Sequence, residues 1–149
     1  MRFCIELGAD AAINYKTEDF VKKVKALTDG VGVQLILDIV GGDYVERNFD
    51  AAAVEGRIVL IGFMGSSTAK VDLRSFTSKR LHHTGSTLRG ITVAGKAKIA
   101  SAVDAKLLPL LLDGRFKTVV DSTFPLEQAA QAHRRMEGGQ HMGKIVLTT

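Results

Sequence analysis

Two apolar rhythms alternate along the chain. In TEDFVKKVKALTDG, residues 17 to 30, Phe20, Val21, Val24 and Leu27 recur at helical spacing while Lys22, Lys23 and Lys25 take the opposite side. That pattern predicts a helix with one apolar stripe, capped by Thr17 and stopped by Gly30. VQLILDIV (33–40) and RIVLIG (57–62) are instead nearly unbroken apolar runs ending in glycine, which predicts strands covered on both faces. AAINY (11–15) and LHHTGSTL (81–88) read as further strands, YVERNFDAA (44–52) as a short helix, and HMGKIVLTT as a closing strand. A helical pattern from Ala94 to Leu112 is expected to bend at Pro109, and another helix to begin with Pro125 in its first turn and end at Gly138. Alternating strands and helices in this order predict a parallel α/β sheet.

At 149 residues, 46% hydrophobic and 24% charged, the chain has the length and composition of one globular domain. It has no 18-residue apolar span, and Arg2, Glu6 and Asp10 interrupt the start where a signal peptide needs an apolar core, so no membrane and a cytoplasmic location are expected. The net charge of +4 is spread through helical patterns without interleaved aromatics, which argues for solvated helix faces and against nucleic acid. The lone Cys4 excludes an internal disulfide, and with four scattered histidines it forms no zinc spacing. His82 and His83 are neighbours, so a strand would point them to opposite faces. Asp38 and Asp43 flank a glycine pair and are expected to bond local backbone. His133 carries no assigned chemistry, and Cys4 has no visible activator.

Two strand ends look alike, LILDIVGGD and IVLIGFMGSS. In open parallel sheets ligands sit beyond the carboxyl ends of the strands, and Gly41, Gly42, Gly62 and Gly65 would let a flat ligand approach the backbone there. Free amides beside Ser66 would then meet a polar edge. Taken singly, each glycine also fits an ordinary tight turn.

The series ELGADAAINYKTEDF, GVQLILDIVGGDYVERN, GRIVLIGFMG, TGSTLR and FPLEQAAQAHRRMEGGQHMGKIVL resembles the NADPH:quinone oxidoreductases, the zeta-crystallin-like branch of the medium-chain dehydrogenase/reductase superfamily, over essentially the whole chain. The resemblance implies the later part of a two-domain, zinc-independent enzyme, with residues from about 122 to 149 returning toward a separate catalytic domain. It implies that Tyr15 and Lys16 meet the 2′-phosphate of NADPH and that Val40 and Gly41 pass near the nicotinamide ribose. By the same resemblance Gly62, Phe63, Met64 and Gly65 cradle the nicotinamide, Thr87 and Leu88 lie beside it, and Lys144 helps hold the cofactor. The bland alternatives are a strand-end tyrosine beside a solvated lysine, and plain edge-strand residues at 87 and 88.

Neither GxGxxG nor the family's shorter AxxGxG-like turn occurs before Cys4, so an incomplete Rossmann-type parallel sheet flanked by helices is expected, lacking the first two strands and the pyrophosphate loop. In the sheet order 3-2-1-4-5-6 those strands would separate AAINY from VQLILDIV, so AAINY is expected to pair directly with VQLILDIV, move elsewhere or be completed by another chain. The resemblance also implies a homodimer formed by pairing of residues 81–88. Two functions are carried forward. One is the coenzyme-binding part of a quinone oxidoreductase, with weak or absent NADPH binding, no catalytic residue of its own and no turnover alone. The other is a non-catalytic, self-associating remnant module.

Overall fold

The computed structural model describes residues 1–149. They form two compact units, Met1–Gly90 and Ile91–Thr149.

In the first unit α1 (Arg2–Glu6) and α2 (Phe20–Leu27) precede β1 (Val33–Asp38), α3 (Tyr44–Ala51), β2 (Ala52–Leu60), α4 (Arg74–Ser78) and β3 (His82–Gly85). The strands lie in the order β1-β2-β3, all parallel, as the strand-helix alternation predicts. Helix α3 buries Val45, Asn48 and Phe49 at positions i, i+3 and i+4, so one face points at the sheet. Phe49 is 3% exposed and meets Phe76 of α4 at 5.3 Å and His83 of β3 edge-on at 5.6 Å. Val45, Phe49, Ala52, Ile58 and Leu81 make the core, with Ile36 packed against it. The Lys79 ammonium closes the end of α3 by donating to the carbonyls of Phe49, Asp50 and Ala52 at 2.8, 2.8 and 3.0 Å, at the end where the helix dipole favours a cation.

Three expectations are corrected here. AAINY is not a strand. Asn14 turns the chain instead: its carbonyl accepts the N–H groups of Thr17 and Glu18, its Oδ1 accepts that of Lys16, and its own N–H donates to Glu18 Oε2. Four local bonds compete with a strand that has no neighbour to pair with, and they win. Helix α2 is capped by Asp19, whose Oδ1 accepts from Val21 and Lys22, and not by Thr17. Finally, β1 is covered on one face only. Ile36 faces the core, while Leu35 and Leu37, alternating to the other face, are each 64% exposed.

The second unit contains α5 (Val93–Lys106), α6 (Leu108–Leu112), β4 (Val120–Pro125), a 3-10 turn (Leu126–Gln128), α7 (Ala129–Glu137) and β5 (Lys144–Thr148). Strands β4 and β5 pair in parallel, with α7 between them in sequence. Strand β4 was not expected from the sequence pattern. Pro125 ends it and does not begin the helix. Pro109 does not bend one long helix but stands in the first turn of a separate one, where its missing N–H costs nothing. No helix of the chain is long and apolar enough to cross a membrane.

Asp121 ties this unit together. Its carboxylate accepts two bonds from Arg135 of α7, at 2.9 and 3.0 Å, and one from the Met142 amide at 3.0 Å, and its side chain is 10% exposed. The Arg135 guanidinium, followed by the Met142 N–H, holds the carboxyl far below the ordinary carboxylate range. A depressed folded-state value means that this contribution is complete above the unfolded value of about 4 and is lost as pH falls further. Thermal unfolding followed between pH 7 and pH 2 should therefore show the second unit weakening below about pH 4. In Asp121→Asn that acid slope should flatten; an unchanged slope would remove Asp121 from the account.

Candidate functional site

The loops that follow β1 and β2 are stitched together beyond the strand ends. The Ile61 N–H donates to the Asp38 carbonyl at 2.8 Å, that of Met64 to Ile39 at 3.1 Å, and that of Gly65 to Val40 at 2.9 Å, and Gly41 bridges to Ser66. The parallel ladder thus continues past the strands and brings two backbones to contact distance. Gly41 has φ of +66°, and a Cβ there would meet the Ser66 carbonyl oxygen at 2.6 Å. A Cβ on Gly65 would stand 3.2 Å from the Val40 carbonyl oxygen. Gly41 is therefore required by loop against loop, whatever else lies on it, and a side chain at Gly65 would press on the Val40 backbone.

Asp38 holds the first of these loops from beneath. It is 4% exposed; its Oδ1 accepts the amides of Val40 and Gly41 at 2.7 and 3.1 Å, and its Oδ2 accepts from Asn48 of α3 at 2.9 Å. The local-backbone role expected for Asp38 is observed, and Asn48 adds a tie to the helix that no local pattern announces. Several of the amides around Ser66 are already engaged. Those of Met64 and Gly65 are spent on the Ile39 and Val40 carbonyls, and the Ser66 hydroxyl both donates to the Thr68 carbonyl and accepts from its amide at 3.0 Å.

The structure gathers most of the sequence-selected residues along one rim. Tyr15 lines an apolar groove of about 330 Å³ together with Asp38, Ile39 and Val40. Gly41 comes next, with Phe63 Cδ1 3.3 Å from where its Cβ would be. Gly62 and Phe63 then share a second recess, of about 380 Å³, with Gly85 at the end of β3 and Thr87 just beyond it. Tyr15, Val40, Gly41, Phe63 and Thr87 therefore run in sequence across the carboxyl ends of all three strands, where the topology of a parallel sheet places ligands. Phe63 and Met64 are 58% and 81% exposed, so the rim carries an apolar lip. Lys16 is exposed, as is Leu88, which lies outside the recess that Thr87 lines. Lys144 opens β5 in the second unit, its amide donating to the Val119 carbonyl at 2.8 Å.

Behind Tyr15 the groove is walled by Phe20 and Tyr44, which stack with ring centroids 5.6 Å apart and planes 6° from parallel. The Arg47 guanidinium lies 4.3 Å from the Phe20 ring centroid, fixing that wall by a cation-π contact. Sequence reasoning placed Phe20 on an apolar stripe without pairing it with Tyr44, because the two belong to different helices.

Comparison with known proteins agrees with the fold. The sequence profile of the zinc-binding dehydrogenases matches residues 7–147. The chain is 30% identical over 151 residues to a 2-haloacrylate reductase of Burkholderia sp, covering 95% of this chain and 43% of that protein. It is also 30% identical over 146 residues to quinone oxidoreductase 1 of Escherichia coli strain K12, covering 96% and 44%. Among solved structures, that of a 2-haloacrylate reductase superposes with a TM-score of 0.81 at 28% identity over 99% of this chain and 46% of that one. The chain thus spans less than half the length of these relatives. The profile's description implies zinc, but the residues here do not fit such a site. Cys4 is exposed on α1, His82 and His83 are successive residues of β3, and nowhere do three His, Cys, Asp or Glu side chains gather to hold a metal ion. With a profile match over nearly the whole chain and a shared parallel scaffold, this chain belongs to the zinc-binding dehydrogenase family of the medium-chain dehydrogenase/reductase superfamily.

Proposed function

We propose that the chain forms the coenzyme-binding part of a zinc-independent, NADPH-dependent oxidoreductase acting on a quinone or a similar electron-poor carbonyl compound. The observation that carries this reading is the continuous rim from Tyr15 through Val40, Gly41 and Phe63 to Thr87 at the strand ends. The names of two relatives, a quinone oxidoreductase and a 2-haloacrylate reductase, support the same chemistry.

In this reading the Tyr15 hydroxyl and the Lys16 ammonium receive the 2′-phosphate, and Val40 and Gly41 support the nicotinamide ribose. Gly62, Phe63, Met64, Gly65, Thr87 and Leu88 bound the nicotinamide, Phe63 and Met64 shielding it from water. When bound, NADPH supplies the hydride; the chain's own residues position it. The ladder between the loops spends the Met64 and Gly65 amides, so the rim offers apolar walls and a cation but few donors for a pyrophosphate. Each missing charge-assisted bond forfeits about 1.5–3 kcal/mol, which makes binding weak and turnover by this chain alone undetectable.

Titration by NADPH fluorescence tests this. Lys16→Ala should weaken NADPH about tenfold, the loss of one charged contact, and leave NADH unchanged. Equal effects on both coenzymes would move the 2′-phosphate away from Lys16. Saturation by neither, at any concentration, would favour the second reading, a self-associating module without coenzyme, for which the exposed Leu35 and Leu37 speak.

A further inference from the structure

We infer that Asn48, buried on α3 beneath the rim, is a positioning residue for the nicotinamide end of the coenzyme, and that it acts through Asp38 on both glycine loops at once. That role rests on the coenzyme reading of the rim. It uses only bonds among α3, β1 and the two loops, so it holds whatever packs on the outer side of β1. Asn48 and Asp38 are 5% and 4% exposed. Asn48 Nδ2 donates to Asp38 Oδ2 at 2.9 Å, and Asp38 Oδ1 accepts the Val40 and Gly41 amides at 2.7 and 3.1 Å. A carboxylate anchored at one oxygen cannot turn without giving up a bond at the other. The helix side chain therefore settles where those two amides stand.

What carries this to the second loop is the planarity of the peptide unit. In a trans unit the N–H and C=O point opposite ways, so drawing the Val40 and Gly41 amides toward Asp38 aims the Ile39 and Val40 carbonyls away from it. Those carbonyls accept from Met64 and Gly65 at 3.1 and 2.9 Å. Two successive peptide units of the β1 loop are thus gripped on both sides, by Asp38 and by the loop after β2. Asn48 is the point at which that grip is fastened to α3. Tyr15 and Lys16 stand apart from it, on the turn that Asn14 builds with bonds inside its own segment. A disturbance at Asn48 is therefore felt at Gly41 and Met64, where the nicotinamide lies in this reading, and not at the 2′-phosphate.

Asn48→Asp changes the shape of the side chain little but sets a second carboxylate against the first, and at about pH 8 the two repel. Calorimetric titration of the full chain should show NADPH weakened about tenfold or more, the loss of a bond to a charged group. Binding of 2′-phospho-ADP-ribose, which lacks the nicotinamide, should not change. Adding Asp38→Asn rebuilds the pair in the reverse sense, since the amide oxygen can accept both backbone N–H groups while the amide nitrogen donates to the carboxylate at position 48. The double variant should recover the affinity for NADPH. If circular dichroism shows Asn48→Asp unfolded, Asn48→Ser, too short to reach Asp38 and uncharged, takes its place in the comparison of the two ligands. Failure of the unsubstituted chain to bind NADPH would overturn the coenzyme reading and this role with it. Where that chain binds, an unchanged NADPH affinity in the folded single variant, an equal loss for 2′-phospho-ADP-ribose, or a loss that Asp38→Asn does not repair would overturn the role of Asn48 alone.

Discussion

Phe49→Ala is expected to cost the first unit about 3–5 kcal/mol, the range for deleting a buried phenylalanine ring. Phe49 is the member of the core that three elements share: it sits on α3, meets Phe76 of α4 and stands against His83 of β3. Its removal leaves a cavity that neighbours cannot easily fill, because Ile58 beneath is 1% exposed and pinned in the central strand. Against a total stability of about 5–15 kcal/mol for a domain, that loss should shift the urea midpoint of the first unit by a large fraction of its value. A change below about 1 kcal/mol would mean that the helix-sheet contact is not where the stability of this unit resides.

The second large effect is expected at Gly41. Gly41→Val places a β-branched residue at φ of +66° with its Cβ 2.6 Å from the Ser66 carbonyl oxygen. Backbone strain of about 1–3 kcal/mol and a steric cost of about 1–3 kcal/mol apply together, so a loss of about 2–6 kcal/mol follows if the loops hold, and less if they separate. In both cases the rim is broken at its centre, since Gly41 is where the β1 loop meets Phe63. Thermal unfolding together with NADPH titration should show lost binding even where folding survives. Binding unchanged in a folded Gly41→Val protein would take the nicotinamide end of the coenzyme away from this loop.

Much of the scaffold was legible because periodicity is a local record of burial. The runs at 33–40 and 57–62 announce neighbouring strands, and their connection through a helix with Val45, Asn48 and Phe49 on one face announces parallel pairing. The failures have equally local causes. AAINY has strand composition, but Asn14 offers side-chain and carbonyl acceptors to the residues that follow, and the turn prevails. VDSTFP, residues 120–125, alternates too weakly to be read as a strand, yet pairing with β5 and the Asp121–Arg135 bond make it one. The apolar pattern of β1 is written for two covered faces, and this chain covers one.

The candidate site was legible by type and not by construction. Glycines after two buried strands pointed to the strand ends, and the residues picked there do share a rim. Their immediate physical reason, two loops hydrogen-bonded to each other, could not be read from either loop alone, nor could the bond from Asn48 to Asp38 across ten residues.

By itself the order of apolar residues along the chain determined the strands β1, β2 and β3, the helix between the first two and the end of the sheet at which small residues collect, because spacing alone dictates which side chains can share a face. Tertiary structure decided which faces are covered, which amides remain to meet a ligand, and that Tyr15, Gly41 and Phe63 stand in line, because each depends on contacts between segments distant in sequence.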